Sequence, residues 1–401
     1  MTLDRINYLN IGLMLISLIA AFILPFEVFL LSYAILGPLH YLTEISWLHD
    51  RQYFSPKKLD WIPLAVLGLL ILLGARSIMG DDLYGVMENL GMEKVVRFLG
   101  DYGYDITFVA FGLALIFVVF KDWGYRGAAI VVLLFGAYLF HLPDPVYGGE
   151  SISANMYERK IISNYDAKWG NPVFKIFGVY VPTLIHVYLF TGAFILFGAL
   201  KSRSKSGYIS FGVFFLCAAA CFLILPNYTG ILPSNWAKDN YADTFSQLSM
   251  HLMQDFGSKA HDSLLVHSTF SNFYQPETVA IAKQAVFGQT TTIDSSLAIM
   301  FARFIAFAYT YHYLNWFSKT SVIRWHQVPK LRFAIVIVAW IASVALYLTE
   351  YNIGFRWLFL LSFLHVMLEF PLNHQSFIGI GKEISGRISG KKVATVPAKA
   401  R

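Results

Sequence analysis

Charged residues and cysteines are scarce in this chain of 401 residues, and both shortages narrow the class of protein. Only 14% of the residues are charged, whereas soluble domains carry about 25%, and the two cysteines exclude a disulfide-rich scaffold. Hydrophobic residues make up 56% of the chain, and the mean hydropathy is +0.54. This composition excludes a disordered protein and a nucleic-acid-binding module, although the formal net charge is +6. The basic residues stand in short runs between long apolar stretches, which is typical of a multi-pass membrane protein.

The apolar stretches number ten, and most approach the length of about 20 residues that a helix needs to cross a bilayer. They are residues 6–26, 28–48, 61–79, 106–120, 127–142, 174–199, 207–225, 297–317, 333–350 and 355–373. The stretches are apolar on all sides and do not alternate at every second residue, so they predict helices and not the strands of a barrel. We therefore expect an all-α integral membrane protein with about ten transmembrane helices, forming one membrane domain over residues 1–380.

Lys and Arg are concentrated in every second connection and in residues 381–401. Because these residues favour cytoplasmic loops, the pattern predicts that both termini are cytoplasmic and that 381–401 is a basic cytoplasmic tail. The long connections 80–105 and 226–296 then lie on the outer side, where we expect amphipathic helices on the membrane surface. No small-residue cleavage site follows the first span, which predicts a retained helix. The expected location is the inner (plasma) membrane of a bacterium.

Two spans, the second and the tenth, carry the same pattern of His-x3-Glu-x4-His. The residues are His40, Glu44 and His49 in the second span, and His365, Glu369 and His374 in the tenth. Placing an ionisable residue inside a bilayer costs free energy, so such residues are candidates for function. A spacing of four places the first His and the Glu on one helix face. The last His lies on the opposite face of a continuous helix, and it joins the others only if the helix ends or bends, as Pro371 allows in the tenth span.

His312, in the eighth span, falls in the same inner half of the bilayer as His40 and His365 when depth is counted from the basic loops. Histidine and carboxylate side chains from several helices at one depth predict a metal site, with iron as the expected metal and manganese or zinc as alternatives. His186, in the sixth span, is either a further ligand or partner of the site, or a hydrogen bond between helices. The predicted metal ligands are His40, Glu44, His312, His365, Glu369, His49 and His374.

The second and tenth spans are expected to run in the same direction, and each closes a helical hairpin. Together with the shared His-x3-Glu-x4-His pattern, this indicates a possible internal repeat with parallel halves.

The segment Gly37-Pro38-Leu39-His40-x3-Glu44 resembles the Gly-x-x-His-x3-acid opening of the Brp/Blh family. Members of that family are multi-spanning bacterial enzymes that cleave beta-carotene to retinal with a His-bound iron. The resemblance covers one helix. It implies an iron-dependent dioxygenase and assigns His40 as an iron ligand.

The residues leave more than one class of function open. The first is a metal-dependent oxygenase or related oxidoreductase, whose lipid or isoprenoid-like substrate enters from the bilayer and whose electrons come from a cytoplasmic donor. The second is a proton-coupled transporter that uses the His-x3-Glu units as a proton relay. A haem protein with two axial histidines and a lipid transferase that uses His312 and Asn315 are further alternatives.

Overall fold

The computed structural model describes residues 2–141, 173–224, 234–244, 295–319, 323–324 and 326–390, and the single positions Leu248, Leu252 and Asp255. Every regular element within these residues is helical, which confirms the predicted all-α class for the described part of the chain. The helices are α1 (Leu3–Ile23), α2 (Pro25–Asp50), α3 (Trp61–Gly74), α4 (Arg76–Asn89), α5 (Glu93–Asp101), α6 (Gly103–Val119), α7 (Trp123–Phe140), α8 (Phe174–Ser202), α9 (Lys205–Leu223), α10 (Asn235–Thr244), α11 (Ser295–Ser318), α12 (Lys330–Thr349) and α13 (Tyr351–Ile388).

Seven of the described helices are long and apolar enough to cross a membrane, namely α1, α2, α7, α8, α9, α12 and α13. An eighth span arises if α5 and α6, which meet at a bend of 63°, are counted as one. The protein is thus membrane-embedded and multi-pass, while the count of ten spans and the side of the termini stay predictions. Of the other predicted spans, α3 has only 14 residues, and the 24-residue α11 carries polar side chains such as His312 and Asn315.

The outer faces of the spans are apolar, as the surface of a protein surrounded by lipid must be. In α7 and α12, only 11% and 17% of the most apolar window is buried inside the protein. Large aliphatic side chains on this surface, such as Val132, Leu216 and Val338, are more than half exposed. Burying polar groups inside the bundle and presenting aliphatic groups outside is the arrangement that a bilayer stabilises.

The centre of the bundle is formed by α2 and α13, which have the largest buried fractions of the seven spans, at 61% and 56%. The two helices pack against each other, while α11 packs on α1 and α2, and α13 also contacts α6 and α8. At the start of α13, Gly354 allows a tight hairpin with α12, because a Cβ atom there would lie 2.3 Å from the Cα atom of Tyr347. The polar residues His40 and Glu44 of α2, His312 of α11, and His365 and Glu369 of α13 are buried, and so they face protein and not lipid.

The predicted outer segments fall on helices where the structure describes them. Residues 80–105 overlap α4 and α5, and 226–296 contains α10. In the latter segment Tyr241, Leu248 and Leu252 are buried within the core of the bundle. These three side chains therefore pack into the protein, and most other residues of the segment lie outside the described part.

The last helix, α13, continues as far as Ile388 and so enters the segment 381–401 that is predicted as the basic cytoplasmic tail. Residues 381–388 are therefore helical, and 391–401 lie outside the described residues.

Arg126, in the first turn of α7, is fully buried, although its position between two spans predicts a charge on the cytoplasmic surface. Its guanidinium donates to both carboxylate oxygens of Asp60, with Nη1–Oδ1 and Nη2–Oδ2 distances of 2.8 and 2.9 Å. Further bonds go from Nε to the carbonyl of Phe120 and from Nη2 to that of Phe117. The ion pair therefore ties the start of α3 to the connection between α6 and α7.

Candidate metal centre

Four buried histidines meet in the interior of the bundle, and each comes from a different helix. They are His40 of α2, His186 of α8, His312 of α11 and His365 of α13. One ring nitrogen from each can be chosen so that all four lie within 4.8 Å of one another. Because the rings belong to helices far apart in sequence, only the tertiary structure brings them together.

Unusual helical geometry accompanies two of these histidines. Residues Ser32–Leu36, directly before the Gly37-Pro38 step that leads to His40, form a π-helical turn. The first part of α8, Phe174–Phe190, is also π-helical and contains Pro182 four residues before His186. Proline has no N–H to donate to the preceding turn, and π-helical turns are frequent at functional sites. His40 therefore follows a π-helical turn by four residues, and His186 lies within a π-helical stretch.

The nitrogen spacing suits a single metal ion. His186 Nε2 lies 2.9 Å from His365 Nε2, and His312 Nε2 lies 3.0 Å from His40 Nε2. Two ligands at right angles on one ion are about 3.0 Å apart when the metal–nitrogen bonds are about 2.1 Å long. Each pair can also form one N–H···N hydrogen bond if one ring donates and the other accepts. The cluster therefore fits an ion such as iron, zinc or copper, all of which accept imidazole ligands.

The rings are held by partners around the cluster. The hydroxyl Oγ1 of Thr191, on α8, lies 2.8 Å from His312 Nδ1 and so directs Nε2 of that ring toward the other histidines. The ring of Tyr41 stacks on that of His365 at a centroid distance of 4.5 Å. Outer partners of this kind fix the tautomer and the orientation of metal-ligating imidazoles.

Substitution of Thr191 by Val is expected to weaken metal binding by about 10–100-fold, because the His312 ring loses the hydrogen bond that orients it. Metal affinity would be measured by competition with a chelator in detergent. The matched control is Thr183→Val on the same helix, since the Thr183 hydroxyl donates to the carbonyl of Val179, in its own helix. Equal affinities for the two variants would contradict the orienting role of Thr191.

Two carboxylates lie at the edge of the cluster. Glu44 Oε2 is 3.1 Å from His40 Nε2, and Glu369 Oε2 is 3.1 Å from His186 Nδ1. Glu44, Glu369 and His365 also form a second group whose possible ligand atoms all lie within 4.8 Å of one another. The five predicted residues His40, Glu44, His312, His365 and Glu369 are thus brought together.

His49 and His374, also predicted as ligands, are not brought to the cluster. Both α2 and α13 continue as helices past the glutamates, and α13 does not end at Pro371. A residue nine positions after the first His therefore lies on the opposite helix face. His49 is exposed beside the ring of Tyr53, and His374 Nε2 donates to the carbonyl oxygen of Phe111 at 2.8 Å.

His186 belongs to the cluster although it is absent from the predicted ligand set. The sequence offers one signal for it, since it is a histidine inside an apolar span and follows a proline by four residues. A lone histidine of this kind also serves as a hydrogen bond between helices. Only the proximity of His186 to His312 and His365, with ring centroids 4.9 and 4.8 Å apart, distinguishes the two roles.

The contacts of the histidine rings and of Asn315 do not favour the haem and transferase alternatives. His40 contacts His312 and His365 edge to face, with centroids 4.7 and 5.2 Å apart. Rings in direct contact leave no slot for a porphyrin between them. Asn315 accepts a hydrogen bond from Tyr311, and so the structure pairs it with a residue other than His312.

An apolar cavity of about 600 Å³ lies between α8, α9 and α11. Its walls include Tyr188, Phe222, Phe301 and Phe304, and its volume is within the range of about 300–1,000 Å³ that is usual for ligand pockets. Phe301 and His312 lie on the same face of α11, about 16 Å apart along the helix axis. The cavity therefore adjoins two of the helices that carry the histidines.

Comparisons with known proteins identify no relative. No protein-family model matches the chain, and no curated protein or solved structure matches it. The function is therefore inferred from the side chains of the site and from the cavity.

Proposed function

We propose that the protein is a membrane-embedded, metal-dependent oxidoreductase, an oxygenase that uses iron on a lipophilic substrate. The observation that carries the proposal is the convergence of four imidazoles from four helices in the interior of the bundle. Four imidazoles leave two positions open on a six-coordinate ion, as an oxygenase requires. A bound iron ion supplies the one-electron and O2 chemistry.

The side chains around the four histidines have separate tasks in this proposal. Thr191 orients the His312 ring, and Tyr41 fixes the plane of the His365 ring by stacking on it. Glu44 and Glu369 supply negative charge that offsets the charge of a cation in the dry interior. Buried aromatic residues such as Tyr313 and Trp316 pack beside His40 and keep bulk water away.

The substrate is a lipid or an isoprenoid-like molecule that enters from the bilayer. The cavity supports this choice, because its lining offers aromatic and aliphatic surface and almost no polar surface. The electrons come from a cytoplasmic donor, and the membrane is the bacterial inner membrane. The similarity of residues 37–44 to the opening of the Brp/Blh family agrees with an iron dioxygenase.

A proton-coupled transporter is the second candidate, and the contacts of the two glutamates favour it. Buried His–Glu pairs such as His40–Glu44 and His186–Glu369 are the components of proton relays in membrane proteins. In that case the histidines would carry protons and would hold no resident metal.

Metal analysis distinguishes the two candidates. Protein purified in detergent without chelator is expected to contain at least one iron ion per chain, and the His40→Ala, His365→Ala double variant is expected to contain none. Nitric oxide, a stand-in for O2, is expected to give the EPR signal of a ferrous ion with an open coordination position. Intact protein that contains no metal and takes up none from added Fe2+ would refute the enzyme and leave the proton relay.

A further inference from the structure

The negative charge of Glu44 and Glu369 in the protein interior is not explained by the four-histidine cluster. Both carboxylates are almost completely buried, at 2% and 1% exposure. Among the described residues, no Lys or Arg lies within ion-pair distance of either one, and their only charged-type contacts are with histidines. Buried carboxylates are normally paired with a cation or bound to a metal. The two side chains come from different helices, α2 and α13, yet their oxygens approach within 4.8 Å.

The neighbourhood of these carboxylates contains further polar atoms without partners. Asn373 lies one helical turn beyond Glu369 on the same face of α13 and is only 1% exposed. Neither the amide nitrogen nor the amide oxygen of Asn373 has a hydrogen-bond partner among the described residues. Glu369 Oε2, although close to His186 Nδ1, is not aligned with it as a hydrogen bond. Buried polar groups without a protein partner are typical of a site that binds water or an ion.

We infer that a second divalent cation binds beside the four-histidine cluster, held by Glu44, Glu369 and His365. Carboxylate oxygens with one imidazole suit Mn2+, Fe2+ or Zn2+, and the amide oxygen of Asn373 is a further ligand of the same hard type. The inference rests on the proposed function, in which the first ion occupies the histidine cluster. It adds that the centre is dinuclear.

His365 belongs to both groups of ligands, and this fixes how they are divided. One imidazole nitrogen binds one ion, so when the second cation takes His365, the first keeps His40, His186 and His312 and has three open positions instead of two. Glu44 Oε2 is 3.1 Å from His40 Nε2, a ligand of the first ion, so the two groups of ligands are adjacent. Paired metal sites in enzymes hold their ions about 3.5–4 Å apart, which adjacent ligand groups sharing one histidine allow.

The number of bound ions tests the inference. Metal-stripped protein in detergent would be titrated with Mn2+, and the free ion would be followed by its EPR signal. The wild type is expected to bind two ions, and Glu44→Gln and Glu369→Gln to bind one each. Glu88→Gln, which removes an exposed carboxylate on α4, is the matched control and is expected to bind two. The paired ions are also expected to give an exchange-coupled spectrum, which the single-ion variants lack.

Asn373→Leu provides a milder variant, in which the first ion binds as in the wild type and the second binds at least 10-fold more weakly. It keeps the test decisive if a glutamate variant does not fold. Saturation of the wild type at one ion, lost in His312→Ala, would overturn the second site and leave the proposed function standing. Two ions in both glutamate variants would also overturn the second site, whereas no bound ion in the wild type would overturn both proposals.

Discussion

Replacing His186 by Ala is expected to remove tight metal binding as completely as replacing His312 by Ala. Each substitution deletes one of four converging imidazoles. The loss of an outer partner lowers metal affinity by about 10–100-fold, and the loss of an imidazole ligand should lower it further. The measurement is metal content after purification, followed by chelator competition for any variant that retains metal.

His49→Ala is the control for this comparison, because His49 follows His40 in the same helix but is exposed. This variant is expected to keep its metal. If His186→Ala bound metal with wild-type affinity, His186 would be a hydrogen-bonding residue between helices, and the centre would be built on the other three histidines.

Breaking the Asp60–Arg126 ion pair is expected to have the largest effect on folding. Asp60→Ala or Arg126→Ala leaves one buried charge without its partner, which costs about 3–5 kcal/mol. In detergent this would be seen as a marked loss of folded protein and a lower unfolding temperature. The double variant Asp60→Leu, Arg126→Met removes both charges and is expected to recover most of the stability.

The exposed pair Asp50–Arg332 is the matched control for the buried one. Its atoms are 2.7 Å apart, but the side chains are 41% and 33% exposed. Asp50→Ala should therefore change the stability by about 1 kcal/mol or less. Similar losses from breaking the two pairs would show that burial does not determine the strength of the Asp60–Arg126 interaction.

The sequence supports prediction of the helices and of those site residues that stand in a local pattern. The spacing of His40 and Glu44, and of His365 and Glu369, places each pair on one helix face without any tertiary information. His312 is predicted as a site residue because burying a histidine at that depth of the bilayer costs free energy. Thr191 gives no such signal, since a threonine in an apolar span usually bonds to its own backbone.

Other features depend on contacts between distant residues. In the sequence, Arg126 looks like any basic residue of a cytoplasmic loop. Only the structure shows that it pairs with Asp60, which is 66 positions earlier. Similarly, Pro371 allows a bend or an end in the tenth span, yet α13 continues through it, because neighbouring helices can stabilise a proline inside a membrane helix. The depth of Glu44 and Glu369 follows from the sequence, whereas their approach to each other depends on the packing of α2 against α13.

The shortness of α3 has a consequence for the lipid around the protein. Its 14 residues rise about 21 Å, whereas the hydrocarbon core of a bilayer is about 30 Å thick. Its neighbour in the bundle is α13, where Gly68 and Met367 are in contact. Hydrophobic mismatch of this size is relieved by thinning of the adjacent bilayer. If α3 is one of the spans, we therefore expect lipid headgroups and the water that accompanies them to come closer to the four histidines on the α3 side than beside the full-length spans.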